Sequence, residues 1–174
     1  PCKRHPLSAI FFANLLKELA PKVNELIVVS PRPYVPKFMV KFKKNLGRWF
    51  LDPMISKENG MEIIRPYVLF LPGAKFVGIN GVLMQYTLFR LLKKLIEERK
   101  IELILGYNML PEGIAAVRLA KIFKLPVGFW AIGTDVNDMA IYNRINNYLT
   151  RKWIEDSQVV LTESKDLENK VRAI

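Results

Sequence analysis

The strongest constraint in this sequence is an alternation. Short apolar runs of strand length keep giving way to longer stretches with helical spacing. Strand patterns fall at Leu26-Ile27-Val28-Val29, Met61–Ile64, Glu102–Gly106, Pro126–Ile132 and Val159–Thr162. Helical patterns fall at Leu7–Leu19, Lys37–Phe50, Asn80–Lys100, Ala115–Phe123 behind Pro111, Tyr142–Asp156 and Ser164–Val171. Pro31, Pro33 and Pro36 predict a loop, and the residues after Pro66 an extended piece. Ser8 and Ser164 stand where a helix N-cap belongs. Apolar strands joined by helices are buried on both faces, which requires parallel pairing and helix cover. The expected class is α/β: a doubly wound, mainly parallel sheet with helices on both faces. With no repeat, low-complexity tract or linker, residues 1–174 read as a single domain.

Composition supports a packed fold, because 51% of the residues are apolar and 25% charged. The net charge of +11 points to an anionic partner. It is unevenly placed, at +7 over residues 1–60, +5 over 61–124 and −1 over 125–174. Cys2 and His5 are the sole residues of their kinds, so a disulfide framework, a Cys-built zinc site and a His-rich metal site are excluded. A reducing, cytoplasmic setting fits this cysteine usage. Val68–Phe89 is largely apolar, but Pro72, Gly73, Lys75, Gly78, Asn80 and Gly81 predict strand, loop and helix start there, not a membrane span. The chain opens on Pro1 and stops at Ile174 within a helical pattern, as a fragment of a longer protein would.

Ligands of a doubly wound sheet bind beyond the carboxyl ends of its strands. The loops expected at that edge are Ser30-Pro31-Arg32, Gly106-Tyr107-Asn108, Gly133-Thr134-Asp135-Val136-Asn137 and Glu163-Ser164. Taken singly, most are ordinary turn and cap residues. Gly133–Asn137 is denser, with four turn-or-ligand residues in five. No G-x-G-x-x-G, phosphate-binding G-x-x-x-x-G-K-[ST] or G-x-S-x-G elbow is present, so dinucleotide, P-loop and serine-hydrolase chemistry have no support.

Lys37–Phe50 is the most patterned segment. Lys37, Lys41, Lys44 and Arg48 are spaced 4, 3 and 4, while Met39, Phe42, Leu46 and Trp49 are spaced 3, 4 and 3. On a helix these sets occupy opposite faces. The simplest reading packs the apolar face on the domain and solvates the cations. The functional reading is a surface for anionic lipid or an acceptor phosphate.

In order and spacing, the chain resembles the N-terminal, acceptor-side domain of a GT-B glycosyltransferase of the retaining, family-4 type. The resemblance spans nearly the whole chain. It rests on Pro6–Phe12 with the Leu15–Leu19 helix, Val28-Val29-Ser30-Pro31, Ile104-Leu105-Gly106-Tyr107 with Pro111–Ala116, Leu125-Pro126-Val127 leading to Gly133–Asn137, and Val160–Leu167. It implies the Rossmann-like half of a hexosyltransferase that moves a sugar from a nucleotide-sugar donor to a glycan or lipid-linked acceptor. Such an enzyme would serve polysaccharide or glycolipid biosynthesis in the cytoplasm, peripheral at the membrane. It needs no cofactor, the nucleotide-sugar being a substrate. The resemblance puts Gly133, Thr134 and Asp135 at the cleft, Asn108 and Ser164 nearby, and Ser8 toward the donor phosphates. No catalytic residue carries over, because Ile132 stands where many members have a histidine; Ala9 replaces a common glycine. The family's first strand and its C-terminal donor-binding domain have no counterpart here, so the isolated chain is expected to be inactive. Two alternatives use the same features. One is a non-enzymatic basic α/β module for nucleic acid or a phosphorylated partner, although no aromatic–basic RNA motif is present and nucleic acid ranks low. The other is a sugar-nucleotide epimerase of similar shape.

Overall fold

The computed structural model describes residues 10–35 and 52–174. These fall into two compact units, divided between Val68 and Leu69. Ser8 and the Lys37–Phe50 segment lie outside the described residues.

In the first unit, α1 (Ile10–Leu19) leads through a short turn at Ala20–Lys22 to β1 (Ile27–Val29) and β2 (Arg32–Pro33). After the undescribed stretch come β3 (Ile55–Glu58), β4 (Met61–Ile64) and β5 (Tyr67–Val68). β1 runs parallel to β4, and β2 runs parallel to β5.

Two features here depart from the sequence expectation. The proline run continues a ladder where a loop is predicted. Ser30, Arg32 and Tyr34 donate their N–H groups to the carbonyls of Ile64, Pro66 and Val68, each at 2.8 Å. Pro31 and Pro33 fall at the intervening positions, whose nitrogens point away from that ladder, so the missing donors cost it nothing. Second, β3 is an additional strand, antiparallel to β4. Asn59 and Gly60 join the two with φ of 51° and 79°. Such paired left-handed residues make the tight turn that matches strand twist.

Two arginines are buried in this unit. Arg32 is 5% exposed and donates to the carbonyls of Arg65, Asp52 and Pro53. Arg65 is 8% exposed, donates to Ser56 Oγ at 2.6 Å and pairs with Glu58 at 3.0 Å.

The second unit reads α2 (Val77–Arg99), β6 (Ile104–Tyr107), α3 (Ile114–Phe123), β7 (Val127–Ala131), α4 (Arg144–Glu155), β8 (Val159–Thr162) and α5 (Lys165–Ala173). The strands form a parallel sheet ordered β6-β7-β8. This Rossmann-like succession is the expected one, with element bounds within a few residues. Ser164 caps α5, accepting from the Leu167 N–H at 3.1 Å. Phe129, Ile114, Val117, Leu119 and Leu110, each 1% exposed, lie at its centre. Among the described residues every pairing is parallel except β3–β4. The class is therefore α/β with mainly parallel pairing, its strands divided over three sheets.

Val68–Phe89 resolves as anticipated into a strand end, a turn at Gly73 and the start of α2. No helix among the described residues is long and apolar enough to cross a membrane. The start of α2 is fixed by two buried amides. Asn146 on α4 accepts from the Gly78 N–H at 3.1 Å and donates to the carbonyls of Ala74 and Met139 at 3.0 Å. Asn80 closes a reciprocal pair with the Leu71 backbone.

One turn on, Gly81 lets α2 approach the start of α3. A Cβ there would lie 2.6 Å from Ile114 Cβ and 2.7 Å from the Pro111 carbonyl oxygen. Since the backbone cannot yield cheaply, Gly81→Ala should destabilise the fold by about 1–3 kcal/mol despite its better helix propensity. Urea denaturation checks this, and an unchanged midpoint would contradict the packing.

Candidate functional site

The candidate site is the carboxyl edge of the β6-β7-β8 sheet. Parallel register sets Tyr107 opposite Trp130 and Ala131 opposite Thr162, so the three chains leave the sheet side by side. Tyr107-Asn108, Ile132–Asn137 and Glu163-Ser164 follow directly.

Asp135 holds this edge together. It is 1% exposed. Its Oδ1 accepts from the N–H groups of Ile132 at 3.1 Å, Gly133 at 2.9 Å and Val136 at 3.1 Å. Its Oδ2 accepts from the Met109 N–H at 2.5 Å. One carboxylate therefore folds the turn after β7 and ties it to the loop after β6. Gly133 enters the turn at φ 112°, a conformation that side chains resist. Its carbonyl then accepts from Asn137 N–H at 2.7 Å.

The β6 loop is equally constrained. Asn108 has φ 73°, and its carbonyl accepts from the Gly113 N–H at 2.9 Å. A Cβ on Gly113 would come within 2.8 Å of that oxygen. Asn108 Nδ2 donates to Glu112 Oε2 at 3.4 Å, while its buried Oδ1 has no hydrogen-bond partner. Burial is the main force raising the Glu112 carboxyl to about 7, and the Asp135 charge adds to it. A backbone hydrogen bond and Asn108 act in the opposite direction. Tyr107 is also raised, first by burial and then by Glu163, Asp135 and Glu112. The rim is locally anionic, although the chain as a whole is basic.

The residues anticipated for this site are thus placed differently from one another. Gly133 and Asn108 are partly exposed, and Thr134 is exposed at the rim. Asp135 faces inward as the bracket of the turn, not outward into a cleft. Ser164 is exposed, with its hydroxyl accepting from the first turn of α5. Ser8, Lys37, Lys41, Lys44 and Arg48 lie outside the described residues.

Sequence reasoning placed Tyr107 in an edge loop without giving it a role, and missed Glu112 as a site residue. Pro111-Glu112 reads as the first turn of a helix, where acids are common, and nothing local says that the carboxyl is enclosed beside Asn108. Among the described residues, no group of three His, Cys, Asp or Glu could hold a metal ion. Chemically, the edge offers a hydroxyl at Thr134, an amide at Asn137, a carboxylate at Glu163 and, in Glu112, a proton carrier near neutrality.

No family model matches the sequence. Along its whole length, however, the chain is 22% identical to a Bacillus subtilis (strain 168) protein, TuaC, which carries the name "Putative teichuronic acid biosynthesis glycosyltransferase TuaC". The match covers 44% of that relative, so the chain spans less than half its length.

Two variants test the edge. Asp135→Asn keeps one oxygen for the turn but sets an amide NH2 against the Met109 N–H, or the reverse if flipped. A loss of about 2–3 kcal/mol is expected in chemical denaturation, as for a buried donor left unsatisfied. For Glu112, the folded carboxyl keeps its proton through a pH window in which the unfolded one has lost it. Stability therefore falls as pH rises from 4.5 to about 7, by up to about 3 kcal/mol. Glu112→Gln should remove this slope and melt above the parent at pH 8; parallel pH–Tm curves would refute the enclosed carboxyl.

Proposed function

We propose that this chain is the acceptor-side part of a glycosyltransferase of GT-B, family-4-like type. The complete enzyme would move a hexosyl group from a nucleotide-sugar to a glycan or lipid-linked acceptor, acting in the cytoplasm at a membrane surface. The observation that carries this reading is the match to a named glycosyltransferase along the entire chain. The Gly133–Asn137 turn at the carboxyl edge supports it, because that edge is where parallel α/β sheets take their ligands.

The rim suits a hydroxyl-rich ligand better than a phosphate. Glu163 can accept from sugar hydroxyls, Thr134 and Asn137 can both donate and accept, and the Glu163 and Asp135 charges repel anions. Donor diphosphate would then be met elsewhere, with Ser8 and the second half of the enzyme as its expected contacts. Rate enhancement would come from holding acceptor and donor in register in a cleft that excludes water. Lys37, Lys41, Lys44 and Arg48 would meet an acceptor phosphate or anionic lipid.

The test is transfer of labelled sugar from a panel of nucleotide-sugars to a membrane-lipid extract. A longer protein containing this chain should transfer from one donor, and the chain alone should not. Within the longer protein, Thr134→Val should slow transfer about tenfold, the equivalent of one lost hydrogen bond of about 1.4 kcal/mol. Failure of the longer protein on every donor would defeat the transferase reading, and turnover by the chain alone would defeat the two-part architecture.

A further inference from the structure

The outer face of α4 and the turn that leads into it carry an unusual set of side chains. Ile141, Tyr142, Ile145 and Tyr148 are 63%, 59%, 54% and 62% exposed. Single exposed apolar residues are normal on any protein. Four large ones within eight consecutive residues form a patch, and patches of this kind mark contact surfaces. They do not belong to the helix's packing face, since Asn146, Thr150 and Trp153 already bury that side.

Cations share the exposed face. Arg144, Arg151 and Lys152 are exposed, and Lys152 Nζ stands 6.0 Å from the centre of the Tyr148 ring. No acidic residue occurs between Asp138 and Glu155. The stripe is thus apolar and aromatic along its middle, basic along its length, and acidic only at its two limits.

We propose that this face docks on an anionic lipid bilayer. Ile141, Ile145 and the two tyrosine rings would enter the boundary between headgroups and acyl chains. That depth suits side chains with an apolar body and a polar tip. Arg144, Arg151 and Lys152 would meet lipid phosphates. The same charges argue against a second copy of this chain, because a two-fold contact would set the three cations against themselves. They also argue against nucleic acid as the main partner, since phosphate contacts alone leave Ile141 and Ile145 exposed. Docking here would hold the neighbouring Gly133–Asn137 turn close to the membrane. The further step, that this presents the rim to a lipid-borne acceptor, rests on the proposed transferase function; the docking does not.

The experiment is co-sedimentation of the 174-residue chain with vesicles of phosphatidylcholine alone and of phosphatidylcholine mixed with phosphatidylglycerol. Binding should require the anionic lipid and weaken with salt. Ile145→Ser with Tyr148→Ser, and separately Arg144→Gln with Arg151→Gln and Lys152→Gln, should each reduce binding at least tenfold. Their circular dichroism and melting should match the parent, as expected of exposed positions. The proposal is overturned if the parent does not sediment, or if both variants bind like it. It also fails if only Gln replacement of Lys37, Lys41, Lys44 and Arg48 abolishes binding, if the serine variant instead dissociates a dimer, or if DNA is bound as tightly as lipid. The transfer assay with a water-soluble acceptor reads separately: transfer without vesicle binding refutes the docking alone, and binding without transfer refutes the function alone.

Discussion

The carboxylate of Asp135 is the constraint on which the second unit's functional edge depends. Two of its N–H partners, on Ile132 and Gly133, lie just after β7, the third is its own neighbour Val136, and the fourth belongs to Met109 after β6. Buried N–H groups must find acceptors, and a charged acceptor gives bonds about twice as strong as a neutral one. Here one anion satisfies four donors that no ladder reaches. It also sets Gly133, Thr134 and Asn137 around it, and it adds to the field that keeps a proton on Glu112. The buried charge that holds the turn thus also adds a smaller push to the burial that raises the Glu112 carboxyl.

What was legible in the sequence follows from the range of the physics involved. The α2 helix is expected at Asn80–Lys100 and found at Val77–Arg99, because a long apolar periodicity needs no tertiary information. The Ser164 cap is legible for the same reason, its partner being three residues away. The β3–β4 hairpin was within reach: Asn59-Gly60 is the strongest short turn signal, but the alternating strand Ile55–Glu58 has little apolar content to announce it. The role of Asp135 was not within reach. Asp in a Gly-Thr-Asp turn looks the same whether it faces a ligand or an interior, and the deciding partner, Met109, is 26 positions upstream. Glu112 is hidden likewise, since its shift comes mainly from burial, a property of the assembled loop.

Charge is instructive at two scales. The chain carries +11 overall, yet the strand-end rim gathers Glu112, Asp135 and Glu163 around Tyr107. Net charge governs long-range attraction to a partner, while a site's chemistry is set within a few ångströms. A basic protein can therefore approach an anionic surface and still present an acidic rim to a neutral, hydroxyl-rich ligand.

The proline-studded β1–β2 segment has a consequence for how the first unit's sheet can grow. In a parallel ladder, successive residues turn their N–H groups alternately to one neighbour and the other. Ser30, Arg32 and Tyr34 face β4 and β5, so Pro31 and Pro33 face the opposite side and offer it no donor. A strand laid along that side can exchange both kinds of bond with β1, but past Val29 it meets only the carbonyl acceptors of Pro31 and Pro33 and no donor. The sequence thus halves the bonds that one margin of the sheet can make past Val29, which weakens the hold available there to a stray strand from another chain.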